Sequence, residues 1–175
     1  MPDATVVRRL LEASRRAEIV AAVNAATSAA ELGHVVTAQL CQAFEAELGL
    51  VVAGRPSAGA PELVGSTGVA ADQAEALLAG GFLYHALTAR APRLHLGDPL
   101  GLGAQTVMVA PFAAAAGDRG AVVVACLYHR GFDAADLALL EAVARSVGQA
   151  LERLWLIDDL RREVAAMPRA LTSSE

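Results

Sequence analysis

The chain has 175 residues, 55% apolar but only 4% aromatic, which suits one substantial core of small aliphatic side chains and leaves little room for two domains. All 14 basic residues are arginine and the net charge is −5, so neither a lysine-dependent reaction nor a basic nucleic-acid surface is supported. Cys41 and Cys126 lie outside any C-x-x-C or Cys/His cluster, which argues against zinc and for reduced, buried thiols in a cytoplasmic protein.

Asp3 can cap a first helix to about residue 26, in which Val7, Leu10, Ser14, Ala17 and Ala21 recur at three-four spacing. Glu18 and Asn24 interrupt what would otherwise imitate a signal peptide, so the segment reads as an amphipathic helix. Its stripe is a candidate dimer seam, represented by Leu10 and Ala17. Ser28 followed by Glu31 is a capping-box pattern that opens a second helix to about residue 44, with Leu32, Val35, Val36 and Leu40 as its core stripe.

Residues 48–53 and 62–66 read as strands joined by a Gly/Pro loop over 54–61. Two short helical segments, 72–79 and 82–90, are split by Gly80 and Gly81 and form a candidate lid. A short strand over 93–96, a Gly-rich connection over 97–103 and a hairpin of long strands over 105–114 and 120–128 follow. The longest apolar stretch, 106–116, is about half of a membrane span and contains Pro111.

His129, Arg130 and Gly131 make a turn before the last helix. Asp133 stands at its N-cap, Asp136 at N3, and Phe132 and Leu137 at the two positions of a hydrophobic staple. Leu140, Val143, Val147, Ala150, Leu154, Ile157 and Val164 then follow a heptad seam with Arg161 in one polar slot, making Val147, Leu154 and Ile157 candidate dimer contacts. Leu137, Ala144, Leu151 and Trp155 widen the apolar arc, so part of this face is expected on the sheet. Helices bracketing hairpin-linked strands indicate an α+β sandwich with an antiparallel sheet. The expected organisation is a helix over 1–27, one domain over 28–165 including the exit helix 133–166, and a disordered tail over 167–175.

The strand with Gly120, the aromatic Phe132 before an acid-capped helix, the leucine-rich first turns and the exit helix resemble the end of a GAF domain, a sensory module of signalling proteins. Residues 91–98, Ala-Pro-Arg-Leu-His-Leu-Gly-Asp, look like that family's short strand after a proline, and 107–112 with Pro111 look like its apolar strand ending in Val-x-Pro. The resemblance covers about residues 10–165. It implies a PAS-related antiparallel sheet of five to six strands, with the terminal helices on one face and short lid helices and loops over the other.

It also implies a pocket between lid and sheet. Phe82 and His85, three apart on the second lid segment, are expected to share a face, and Asp98 either reaches the ligand or caps its own loop. Thr106, Met108 and Cys126 complete the candidate lining on the assumption that Val107 and Val109 face away. The residues name no cofactor, and the ligand expected is an unidentified small molecule.

Other chemistries find little footing. The Gly97–Gly103 loop lacks the lysine of a Walker motif, no G-x-S-x-G or H-E-x-x-H occurs, and no base neighbours either cysteine in sequence. Cyclic-nucleotide-binding members of the family carry Asn-Lys and Phe-x-x-x-Asp-Glu elements, whereas here Leu137 follows Asp136 and helix capping accounts for Phe132 and Asp136. Neither cysteine suits bilin attachment, nor the pocket of the family's free methionine sulfoxide reductases. The function expected is therefore a non-enzymatic sensor that dimerises through its terminal helices, away from nucleic acid and membrane; the alternative is a ligand-free dimerisation scaffold.

Overall fold

In chain order the helices and strands are α1 (Ala4–Ala25), α2 (Ala29–Phe44), β1 (Leu48–Gly54), β2 (Glu62–Thr67), α3 (Ala71–Ala79), α4 (Gly81–Thr88), β3 (Arg93–Leu96), β4 (Thr106–Ala113), β5 (Arg119–Cys126) and α5 (Ala134–Ala166). The computed structural model describes residues 3–54, 60–114, 117–128 and 131–167. The tip of the Gly/Pro loop, His129 and Arg130 of the last turn, and the tail from Pro168 lie outside the described residues.

The longer helices start where side chains satisfy their first free amides. Asp3 Oδ1 accepts from Thr5 N at 3.2 Å, Ser28 Oγ from Glu31 N at 3.1 Å, and Asp133 Oδ1 from Asp136 N at 2.9 Å. The box on α5 closes reciprocally, Asp133 N donating to Asp136 Oδ2 at 2.9 Å. On α2 the returning carboxylate goes one residue further back, to Thr27 N at 3.0 Å and Thr27 Oγ1 at 2.7 Å.

The five strands form one antiparallel sheet in the order β2-β1-β5-β4-β3. α2 and α5 cover one face, on which Val51, Ala53, Met108, Ala110, Val122 and Val124 meet Leu32, Val36 and Leu40 of α2 and Val143, Val147 and Leu151 of α5, and α1 packs on those two helices. α3 and α4 cover the other face. Each fully buried aliphatic side chain contributes about 1.5–3 kcal/mol, so these two apolar layers dominate the stability of the fold.

Two close approaches fix the helical layer. A Cβ at Gly33 of α2 would lie 2.7 Å from Gly65 N of β2, so this pair lets helix and strand backbones touch. The ring of Phe112 lies over Gly120 of β5 and against Gly148 of α5, where the missing side chains leave it room. Thr37, buried in α2, adds to the contact between α2 and β2 through a 2.8 Å hydrogen bond between its hydroxyl and that of Thr67.

α1 runs parallel to α5: Arg8 Nη2 meets Asp133 Oδ2 at 2.8 Å near one end, and Arg153 Nη2 donates to Asn24 O at 3.4 Å near the other. Here the seam expectation is corrected. Leu140, Val143, Val147, Ala150 and Leu154 are buried in the chain's own core, so Val147 and Leu154 are intramolecular contacts. The stripe Val7, Leu10, Ser14, Ala17 and Ala21 is exposed, while Ile19 and Val23 dock α1. Beyond Trp155, the apolar residues Leu156, Ile157, Leu160 and Val164 of α5 are exposed. No helix among the described residues is long and apolar enough to cross a membrane.

Candidate functional site

Leu48, Leu50 and Val52 of β1, Val107 and Val109 of β4, and Ala121, Val123 and Ala125 of β5 face the lid. Against them α3 places Leu77, α4 places Leu83, Ala86 and Leu87, and the loop between β3 and β4 places Leu100 and Ala104. The middle of this contact is a packed apolar layer.

Strand parity is opposite to the one expected. Met108 and Cys126 belong to the core on the helical face, and buried Thr106 shares their alternation, so these three do not line a lid-side site. Both faces of β4 and β5 are apolar, which removes the polar/apolar contrast that normally reports which side is inward.

The other candidates are also dispersed. Phe82 is half-buried and packs edge-on against His95, with ring centres 5.3 Å apart. His85, three residues on, is exposed and lies against Tyr84, with ring centres 6.1 Å apart. Asp98 caps its own loop: Oδ1 accepts from Leu102 N at 3.0 Å and Oδ2 from Gly103 N at 2.7 Å. Desolvation pushes its pKa up, but the amides of Gly103, Leu102, Ala104 and Gly101 outweigh it and hold the carboxyl below its usual value. Gly101 and Gly103 sit at φ of 68° and 83°, the left-handed conformations this tight loop needs.

The lid does leave an opening at the β4–β5 hairpin end of the sheet. There Leu87, Ala89 and Arg90 from the end of α4 face Pro111, Phe112, Ala113 and Arg119 from the strands around a groove of about 350 Å³. β3 pairs with β4 only as far as Arg93 against Val109, so beyond that point the outer edge of β4 has no partner strand among the described residues. Pro111 fits there because its missing N–H costs no bond in the sheet. The residues overlooked in the sequence are thus Leu87, Arg90, Pro111 and Arg119. A signal did exist for one of them: Arg119 shares the two-residue alternation of Ala121 and Val123.

No protein-family model and no curated protein matches the sequence. Solved structures match the fold over nearly its full length. The GAF domain of a sensor histidine kinase from Pseudomonas syringae pv. tomato superposes with a TM-score of 0.72 at 16% identity, covering 91% of this chain and 97% of that one. The GAF domain of an Acinetobacter phosphoenolpyruvate-protein phosphotransferase gives 0.72 at 12% identity, covering 84% and 96%. The chain has the GAF-domain fold.

Another GAF-fold neighbour is an enzyme, the free methionine-R-sulfoxide reductase of Neisseria meningitidis, with a TM-score of 0.68 at 14% identity, covering 86% of this chain and 93% of that one. In the present GAF fold both cysteines are buried and outside any disulfide, on the helical side of the sheet. Burial, reinforced by the charge of Glu47, pushes the Cys41 thiol up to about 11, the reverse of what a nucleophile needs. Cys126 Sγ donates to Tyr128 O at 3.1 Å. Among the described residues no three His, Cys, Asp or Glu side chains converge to hold a metal ion.

Proposed function

We propose that this GAF-fold chain is a non-enzymatic sensory and relay module, in which a small molecule enters the groove at the end of α4 and the terminal helices carry the response to a second copy. The groove carries this reading, because it opens where an otherwise packed lid meets the sheet. α4 packs on β4 and β5, and α5 packs on the opposite face of the same two strands. A ligand that prefers one position of α4 therefore biases the strands on which α5 rests, a population shift through one shared layer.

Thermal unfolding of the full chain against a broad panel of metabolites, nucleotides and haem tests the reading. A used groove gives a saturable rise of roughly 5–10 °C at a hundredfold excess over Kd, and Ala113→Leu, which narrows the groove from an exposed position, weakens it. A flat response across the panel counts against sensing. It would favour the second reading, a ligand-free dimerisation scaffold, which draws support from the tight packing of Leu83, Ala86 and Leu87 and from the apolar residues exposed on both terminal helices.

A further inference from the structure

We propose that the groove selects an organic anion, a carboxylate or phosphate ester on a small apolar body, with its charge held by Arg90 and Arg119. This rests on reading the groove as the sensing site and specifies the chemistry of what it senses.

The two arginines reach the groove from different elements. Arg119 opens β5 with the lid-facing parity of Ala121 and Val123, while Arg90 follows the C-cap of α4. Between them Leu87, Pro111 and Ala113 supply apolar wall. Arg8, Arg145, Arg161 and Arg162 each have a carboxylate within 3.9 Å, whereas among the described residues Arg9, Arg15, Arg16, Arg93 and Arg153 do not, so what sets Arg90 and Arg119 apart is that both line one groove. Among the described residues neither Arg90 nor Arg119 has such a partner.

Two unpaired guanidinium groups beside an apolar wall make a region of positive potential, strengthened because the wall excludes high-dielectric solvent from one side. Their planar donor forks match the oxygens of a carboxylate or phosphate better than a point charge does. The C-terminus of α4 opposes an anion, but with about half a unit charge against two full ones.

Size and backbone narrow the ligand further. At about 350 Å³ the groove stands near the lower limit of ordinary ligand pockets, which suits a body of one ring or a short branched chain. An extended peptide is disfavoured, since Pro111 removes a donor from the stretch of β4 that β3 leaves uncovered and breaks any ladder a peptide would add.

Calorimetric titration of the full chain with benzoate, phenyl phosphate, benzamide and benzylamine decides the matter. The two anions should bind saturably and at least about tenfold more tightly than the neutral and cationic isosteres. Arg90→Gln and Arg119→Gln should each weaken benzoate about tenfold or more, leaving the unligated unfolding midpoint unchanged, and added NaCl should weaken it too. Equal binding of benzamide and benzoate, or unchanged benzoate binding in either Gln variant, overturns the anion assignment while leaving the sensing reading intact. If none of the four probes saturates, the assignment is overturned as well, and a flat response across the metabolite panel then removes the sensing reading with it.

Discussion

At Gly33 the backbone of α2 lies on β2, and the neighbours that an added Cβ would meet are main-chain atoms of Val64 and Gly65. Backbone cannot swing aside as a side chain can. Gly33→Ala should therefore destabilise by about 1–3 kcal/mol, even though alanine would favour the helix by up to about 1 kcal/mol; urea unfolding measures the net loss. Cys41 has a different signature. Its folded-state thiol titrates near 11 against an ordinary value of 9.0, so between those values the folded chain keeps a proton that the unfolded chain has lost. Stability from this source is intact below pH 9 and falls as pH rises toward 11. Urea midpoints at pH 8 and pH 10.5 should drop further for the wild-type chain than for Cys41→Ala.

At the scale of elements, α5 depends on its first turn. Asp133 is held below its ordinary pKa, first by the Asp136 amide and then by Arg8, so its contribution is present above about pH 4 and disappears as pH falls through the depressed value. Asp133→Ala should lose about 1 kcal/mol at pH 7, and the gap to wild type should close in denaturation at pH 2–3. Arg8→Ala should cost only a few tenths, because the pair with Asp133 is solvent-exposed. This capping was legible in the sequence because it is local: Asp133 and Asp136 are three residues apart. The parity of β4 was not legible, since Thr106, Met108 and Cys126 alternate with residues just as apolar as themselves.

At the scale of the molecule, the terminal helices divide into docked and free parts. Leu154 is only 5% exposed and Leu160 is 51% exposed, although both lie on the same helix. Leu154→Ala should cost about 2–5 kcal/mol in chemical unfolding and is no test of association. Past the last contact with α1, Ile157, Leu160, Val164 and Met167 continue at steps of three, four and three, the spacing of a two-helix seam, and all are exposed. If a second copy covers them, Ile157→Asp combined with Leu160→Asp should give a folded monomer by light scattering. An unchanged oligomeric state in that variant would remove this end of α5 from the interface.

The sequence by itself determined the order of the elements and the caps of α1, α2 and α5, because these depend on periodicity and on residues a few positions apart, and its resemblance to GAF domains implied the architecture. Tertiary structure alone decided which side of β4 and β5 meets the lid, that the seam from Leu140 to Leu154 is spent on the chain's own sheet, and that Arg90 and Arg119 share one groove. The reason is physical. A stripe of apolar side chains records that something covers it without recording what, and two arginines 29 positions apart become neighbours only when β3 stops short and leaves the end of β4 open.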